Sequence, residues 1–302
     1  MIARSALRTA LNLLESTRAA DAAAQQALVD SVAAADGHPN TQVVGLTGPP
    51  GVGKSTLAGQ MVRTWREAGL SVGVLAVDPS SKRSGGAVLG DRARMDRDPA
   101  DSEVFIRSMA ARDHLGGLAP ATFDAALVMR AHVDRVLIET VGVGQSETDV
   151  STACDVTVVV VQPGSGDTLQ FIKAGLMEVF DVLVVNKADL GAIAQTARRD
   201  LKRALSVLGG AATAVVLTSA ISGDDSVKAL VRAIDTVYAG RQDSLASMRQ
   251  EQLRQQTLRT AARLYGTLAI ASMGGPDGAL KRLETLGPTA RPSDMMKALS
   301  PQ

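Results

Sequence analysis

Residues 48–55 read Gly-Pro-Pro-Gly-Val-Gly-Lys-Ser, a G-x-x-x-x-G-K-S motif without a mismatch. Its glycines let the backbone curl so that successive N–H groups converge, which suits phosphate oxygens. A helix starting at the lysine adds the positive end of its dipole at the same point. Lys54 would then reach the β and γ phosphates of a nucleotide, and the Ser55 hydroxyl would bind Mg²⁺. The phosphate-binding set is Gly48, Pro50, Gly51, Val52, Gly53, Lys54, Ser55 and Thr56.

A second motif, Asn186-Lys187-Ala188-Asp189, directly follows the apolar run Val182–Val185. A carboxylate at the end of a strand can accept two hydrogen bonds from the N1–H and exocyclic amine of guanine. Adenine does not present that pair of donors, so the recognition would be lost with ATP. The stem of Lys187 can lie over the base, which matters in a chain short of aromatic rings. Thr218-Ser219-Ala220 ends the next run, and Ser219 and Ala220 suit a backbone contact to guanine O6. The two motifs in this order read as a site for GTP and GDP.

Acidic residues at strand ends supply candidates for Mg²⁺. Asp78 closes the run Val72–Val77, and Asp91 in Gly90-Asp91-Arg92 is a second candidate. The fourth run ends Ile138-Glu139-Thr140-Val141-Gly142, an acid followed three residues later by glycine. Glu139 would touch the metal through water, and the Gly142 N–H would meet the γ-phosphate. Many small GTPases carry a water-orienting glutamine immediately after that glycine. Here Val143 holds the position and Gln145 is the nearest amide, which predicts slow intrinsic hydrolysis accelerated by a partner or dimer. The catalytic candidates are Lys54, Asp91, Glu139 and Gln145. Arg92 and Arg94 read either as charge-stabilising fingers or as solvated surface.

These residues need a scaffold that gathers strand ends. The chain has 302 residues, 45% of them hydrophobic and 21% charged, enough to bury a sizeable core. Short β-branched runs at Val43–Leu46, Val72–Val77, Val104–Ile106, Arg135–Ile138, Val156–Val161, Val182–Val185 and Val215–Leu217 alternate with helical stretches. Runs apolar on both faces predict an α/β fold, with a mostly parallel central sheet covered by helices on both sides. Residues 41–240 form this P-loop domain. Residues 1–40 read as an N-terminal helical extension, with Leu7, Leu11 and Leu14 at helical spacing. Arg4, Arg8 and Arg18 have the look of a presequence, but Glu15 and Asp21 interrupt it, and a docking helix is the reading adopted. Residues 241–302 form a C-terminal helical arm. There Leu253, Leu258, Leu264 and Leu268 predict one helix, Gly274-Gly275-Pro276 a break, and Leu280, Leu283 and Leu286 another helix.

Composition limits the partners. Thirty-two Lys and Arg against 31 Asp and Glu leave a formal charge of +1, so no basic field recruits nucleic acid or an anionic membrane. No apolar run approaches the roughly 20 residues of a spanning helix. Cys154 is the single cysteine, which excludes an internal disulfide framework and fits the reducing cytoplasm.

Several longer segments carry a family resemblance: GLTGPPGVGKST (45–56), VDPSS (77–81), GGAVLGDRARM (85–95), FIRSMAARDHLGGLA (105–119), ETVGVGQSE (139–147), QPGSGDTLQFIKAGLMEVFD (162–181) and NKAD (186–189). In these the chain resembles the MeaB/ArgK family, the methylmalonyl-CoA mutase-associated P-loop GTPases of the signal-recognition and nickel-insertion class. The resemblance implies a GTP-dependent chaperone for an adenosylcobalamin-dependent acyl-CoA mutase, gating cofactor loading and protecting the mutase. It also implies Mg²⁺-linked roles for Asp78, Asp91 and Glu139, a nucleotide-responsive switch at residues 162–173, and homodimers formed through the C-terminal helices. The chain departs from the family pattern at Lys82-Arg83-Ser84, at Asp113 and in an arm without a tryptophan-containing helix. Three other readings share the motifs: a nickel-insertion metallochaperone GTPase, a kinase that passes on the γ-phosphate, and a nucleotide-binding module without turnover. The nickel reading needs soft or imidazole ligands, and His38, His114, His132 and Cys154 are scattered.

Overall fold

Seven β-branched segments become seven strands in the computed structural model, which describes residues 4–34, 40–78, 101–110, 118, 120–140, 146–164, 180–207, 213–222 and 225–300. The strands are β1 (Gln42–Thr47), β2 (Val72–Asp78), β3 (Val104–Ala110), β4 (Arg135–Glu139), β5 (Val156–Val161), β6 (Val182–Val185) and β7 (Ala214–Leu217). They pair in the order β3-β2-β4-β1-β5-β6-β7, and all of these pairings are parallel. A parallel sheet places every strand's C-terminal end on one edge. The loops after β1, β4, β5, β6 and β7 therefore share that edge, on either side of the central β1.

Alternation along the strands explains the two cores. Val158, Val160, Val182 and Val184 point to one face, where they pack with Leu57, Met61 and Trp65 of α3 (Lys54–Glu67). Leu230 and Ile234 of a later helix join that layer. Val159, Val161, Leu183 and Val185 point to the other face and meet Leu201 and Leu205. Strands buried on both faces lose the polar–apolar alternation of an exposed sheet, which is why they read as continuous valine runs.

The chain divides into two compact units. One spans Asn40–Ala119 and Val133–Arg241 and contains the sheet. Its helices include α3, α5 (Ser146–Ser151), α6 (Ala192–Val207) and α7 (Asp225–Ala239). The other joins Met1–Pro39, Pro120–His132 and Gln242–Gln302. It holds α1 (Arg4–Leu14), α2 (Ala22–Ala34), α4 (Pro120–Arg130), α8 (Leu245–Tyr265), α9 (Thr267–Ser272), α10 (Gly275–Glu284) and α11 (Pro292–Ala298).

Within the helical unit, Leu7, Leu11 and Leu14 of α1 are all buried. Asp30 of α2 accepts a hydrogen bond from the Ser293 N–H at 3.0 Å, so it caps the first turn of α11. The two termini of the chain thus meet in one body, with α4 inserted from between β3 and β4. The C-terminal arm differs from the sequence expectation in one place. Gly266, at φ 83°, separates α8 from α9, so Leu264 and Leu268 do not share a helix. Both are exposed.

Candidate nucleotide site

The loop after β1 is shaped by glycines at positions where a side chain could not be placed. Gly48 has φ +142°, and a Cβ there would overlap the Val160 carbonyl of β5. Gly53, at φ +92°, sets the N-terminus of α3, and a Cβ on it would lie 2.6 Å from Asn186 Nδ2. The phosphate loop is therefore pressed against β5 on one side and the end of β6 on the other. Val52 is buried beneath it, while Pro50, Gly51 and Thr56 face solvent.

Lys54 is only 7% exposed, and its ammonium donates to the Gly48 and Pro49 carbonyls at 2.9 and 3.0 Å. Those bonds hold the cation against the concave loop. Ser55 Oγ donates to Glu139 Oε1 at 2.6 Å, linking the first turn of α3 to the last residue of β4. Glu139 itself is buried, and its strand register pairs it with Leu46 of β1 and Ala76 of β2. A hydroxyl and a carboxylate oxygen this close form a hard-donor pair that fits Mg²⁺. Asp78 closes β2, but its side chain lies outside the described residues. Asp91, Arg92, Arg94, Gly142, Val143 and Gln145 lie outside them entirely.

At the end of β6 the second motif turns sharply. Asn186 is 2% exposed and makes three hydrogen bonds. Its Nδ2 donates to the Val52 carbonyl at 2.8 Å. Its Oδ1 accepts from Thr218 Oγ1 at 3.1 Å and from the Ala220 N–H at 3.2 Å. One buried side chain thus joins the phosphate loop, β6 and the segment after β7. Lys187 follows in the left-handed region, at φ 59°, and its ammonium donates to the Gly51 carbonyl at 3.0 Å. Asp189 is exposed and its Oδ1 accepts from Ser219 Oγ at 2.8 Å, which orients the carboxylate.

The structure thus brings Gly48, Gly51, Val52, Gly53, Lys54, Ser55, Glu139, Asn186, Lys187, Asp189, Ser219 and Ala220 to one edge of the sheet. It also shows partners that the motifs alone do not reveal. The Ala220 N–H, expected to face guanine O6, is engaged by Asn186, and the Ser219 N–H donates to Ser226 Oγ at 3.1 Å. Gln162, the residue after β5, accepts from the Lys187 ammonium. Nothing in the local sequence marks that pair, because it joins two loops 25 residues apart.

Supporting groups lie outside the phosphate loop. Gly45 of β1 admits α5 and the following turn, since a Cβ there would lie 2.6 Å from Val150 Cγ2 and 2.8 Å from Cys154 Sγ. Burial pushes the Cys154 thiol up to about 12. At the start of β6, Arg241 forms a two-pronged ion pair with Asp181 and also donates to the Asp155 carbonyl at 2.5 Å. That arrangement fixes the last residue of the sheet unit to β5 and β6.

A glycine-shaped phosphate loop opening a helix, with N-K-x-D at the end of a neighbouring parallel strand, defines the class as P-loop proteins of the GTPase type. More narrowly, the chain belongs to the MeaB family, described as methylmalonyl Co-A mutase-associated GTPase MeaB, whose family model matches residues 7–269. It is 56% identical over 151 residues to a protein of Pyrococcus abyssi named as a GTPase, which covers 50% of this chain and 47% of that one. It is 42% identical over 187 residues to GTPase ArgK of Escherichia coli, covering 62% of this chain and 56% of that protein. The chain spans about half the length of these two curated relatives. Its fold is also similar to a crystal structure of LAO/AO transport system kinase, with a TM-score of 0.65 and 29% identity, covering 94% of this chain and 93% of that one.

Proposed function

We propose that this chain binds GTP, hydrolyses it to GDP and phosphate, and uses the cycle as a chaperone for an adenosylcobalamin-dependent acyl-CoA mutase. Methylmalonyl-CoA mutase or a relative is the partner, and the role is to gate cofactor loading and protect the mutase. The observation that carries the nucleotide part is the bond from Asn186 Nδ2 to the Val52 carbonyl at 2.8 Å. It fixes a base-reading motif and a phosphate-binding loop in one rigid arrangement. Support for the mutase part is the family to which the chain belongs.

In this reading the loop amides bind the phosphate oxygens, and Lys54 neutralises charge on the β and γ phosphates. Asp189, oriented by Ser219, accepts the two guanine donors while the Lys187 stem covers the base. Ser55, Asp78, Asp91 and Glu139 would hold Mg²⁺, which supplies charge neutralisation across the phosphates when bound. Gln145 is the proposed amide for orienting water. Intrinsic turnover is slow, and the mutase or a second copy of the chain accelerates it. Leu264 and Leu268, 60% and 85% exposed in the C-terminal arm, support pairing of two copies through that arm. A buried single cysteine suits the cytoplasm proposed as its compartment.

The test is incubation with γ-labelled GTP. Labelled inorganic phosphate should be released slowly, faster with the mutase present, and not at all from Lys54→Ala. Label on a protein or small-molecule acceptor would support the kinase reading. Tight GTP binding without turnover, alone or with the mutase, would reduce the chain to a binding module.

A further inference from the structure

Lys187 has an unusual degree of fixation for a lysine at a strand end. Its backbone occupies the left-handed region, which L side chains rarely adopt. Its ammonium carries donors only. One reaches the Gly51 carbonyl of the phosphate loop at 3.0 Å, and another reaches Gln162 Oε1 at 2.5 Å. The two acceptors belong to different loops, one after β1 and one after β5. A free lysine stem loses much rotamer entropy when it is ordered. Here two protein acceptors at the ammonium end of the stem do that ordering.

We infer that Gln162 is a positioning residue for the nucleobase, holding the Lys187 stem in place through its side-chain carbonyl and thereby raising affinity for the base without acting on the phosphates. The inference rests on the guanine reading of the N-K-A-D motif given above. Three features support it. Gln162 follows Val161, whose carbonyl accepts the Asn186 N–H at 2.9 Å, so its backbone is registered to the same motif. Its amide is neutral, so it orients the ammonium without cancelling the charge. It also differs in kind from the Gly51 carbonyl, because a side chain can be replaced while a backbone acceptor cannot. In this role Gln162 acts through Lys187, from whose ammonium its side-chain carbonyl accepts.

The experiment measures binding of GTP, GDP and inorganic tripolyphosphate to the full chain by titration calorimetry. Gln162→Ala is expected to weaken GTP and GDP alike by about tenfold, the scale of one hydrogen bond to a charged group. Tripolyphosphate, which has no base, is expected to bind as it does to the unaltered chain. Gln162→Glu keeps an acceptor on the ammonium and should restore most of the GTP affinity. In a Lys187→Met background, Gln162→Ala should cost nothing further. Unchanged GTP affinity in Gln162→Ala overturns the inference. So does an equal loss for GTP and tripolyphosphate, or additive losses in the double variant, because each marks general damage to the loop. If the unaltered chain shows no preference for GTP over ATP, the guanine reading itself fails and the inference falls with it. A GTP-selective parent with an indifferent Gln162→Ala removes the inference alone.

Discussion

Replacing Asn186 by alanine removes, in one step, the side chain that joins three segments of the nucleotide site. The Val52 carbonyl loses a donor at 2.8 Å, Thr218 Oγ1 loses an acceptor at 3.1 Å, and the Ala220 N–H loses one at 3.2 Å. Asn186 is 2% exposed and Thr218 is fully buried, so water reaches these groups poorly. A buried polar group left without its partner costs about 1–3 kcal/mol. Partial relief by an entering water brings the expected total to about 3–5 kcal/mol. That is a large share of the roughly 5–15 kcal/mol that holds a domain together. Urea unfolding followed through Trp65 reads the loss directly, since this single tryptophan is 1% exposed on the buried face of α3. Gly53→Ala should show a related defect, because its Cβ would lie 2.6 Å from Asn186 Nδ2. An Asn186→Ala loss below about 1 kcal/mol would refute the claim that this side chain ties the loops together.

Three further outcomes follow from the packing and titration of other groups. Gly45→Ala places a Cβ 2.6 Å from Val150 Cγ2 and should destabilise the sheet unit by about 1–3 kcal/mol in the same assay. Val150→Ala in that background should recover part of the loss. Cys154, with its thiol pushed up to about 12 by burial, should resist iodoacetamide in mildly alkaline buffer until the chain is unfolded. Asp124 of α4 is raised by burial to about 7 from 3.8, against the opposing pull of Arg263. Its folded form therefore holds a proton that the unfolded chain has released, so its contribution is full below pH 3.8 and is lost as pH rises to about 7. Unfolding measured from pH 4 to 7 should show that loss, on the order of a few kcal/mol, and Asp124→Asn should flatten it.

The sheet was legible because its strands are buried on both faces. Valine-rich runs at Val156–Val161 and Val182–Val185 are buried on both faces, and the two motifs that follow β1 and β6 mark the edge proposed to bind nucleotide. Legibility faded where burial is one-sided or where contacts are remote. β3 is an edge strand, and Arg107 and Ser108 interrupt its apolar run, although pairing with β2 continues to Ala110. The helical unit gathers residues from both ends of the chain and from 120–132, and no local pattern signals that α4 leaves the sheet unit to join them. Gly266 ends α8 before the expected Gly-Gly-Pro break, because a glycine in an otherwise leucine-spaced stretch is tolerated by either reading. Among site residues, the motifs gave positions but not partners. The role of Asn186 as the junction, and the link from Gln162 to Lys187, depend on loops far apart in sequence.

Guanine selectivity in this site rests on Asp189. Its most direct test is the affinity of Asp189→Asn for GTP and for xanthosine triphosphate, measured side by side with the unaltered chain. An amide cannot accept both guanine donors but can donate to the xanthine carbonyl. GTP binding should fall by about a hundredfold, as expected for lost hydrogen bonds to a charged group, while xanthosine triphosphate binding rises. Unchanged GTP affinity in Asp189→Asn would contradict it.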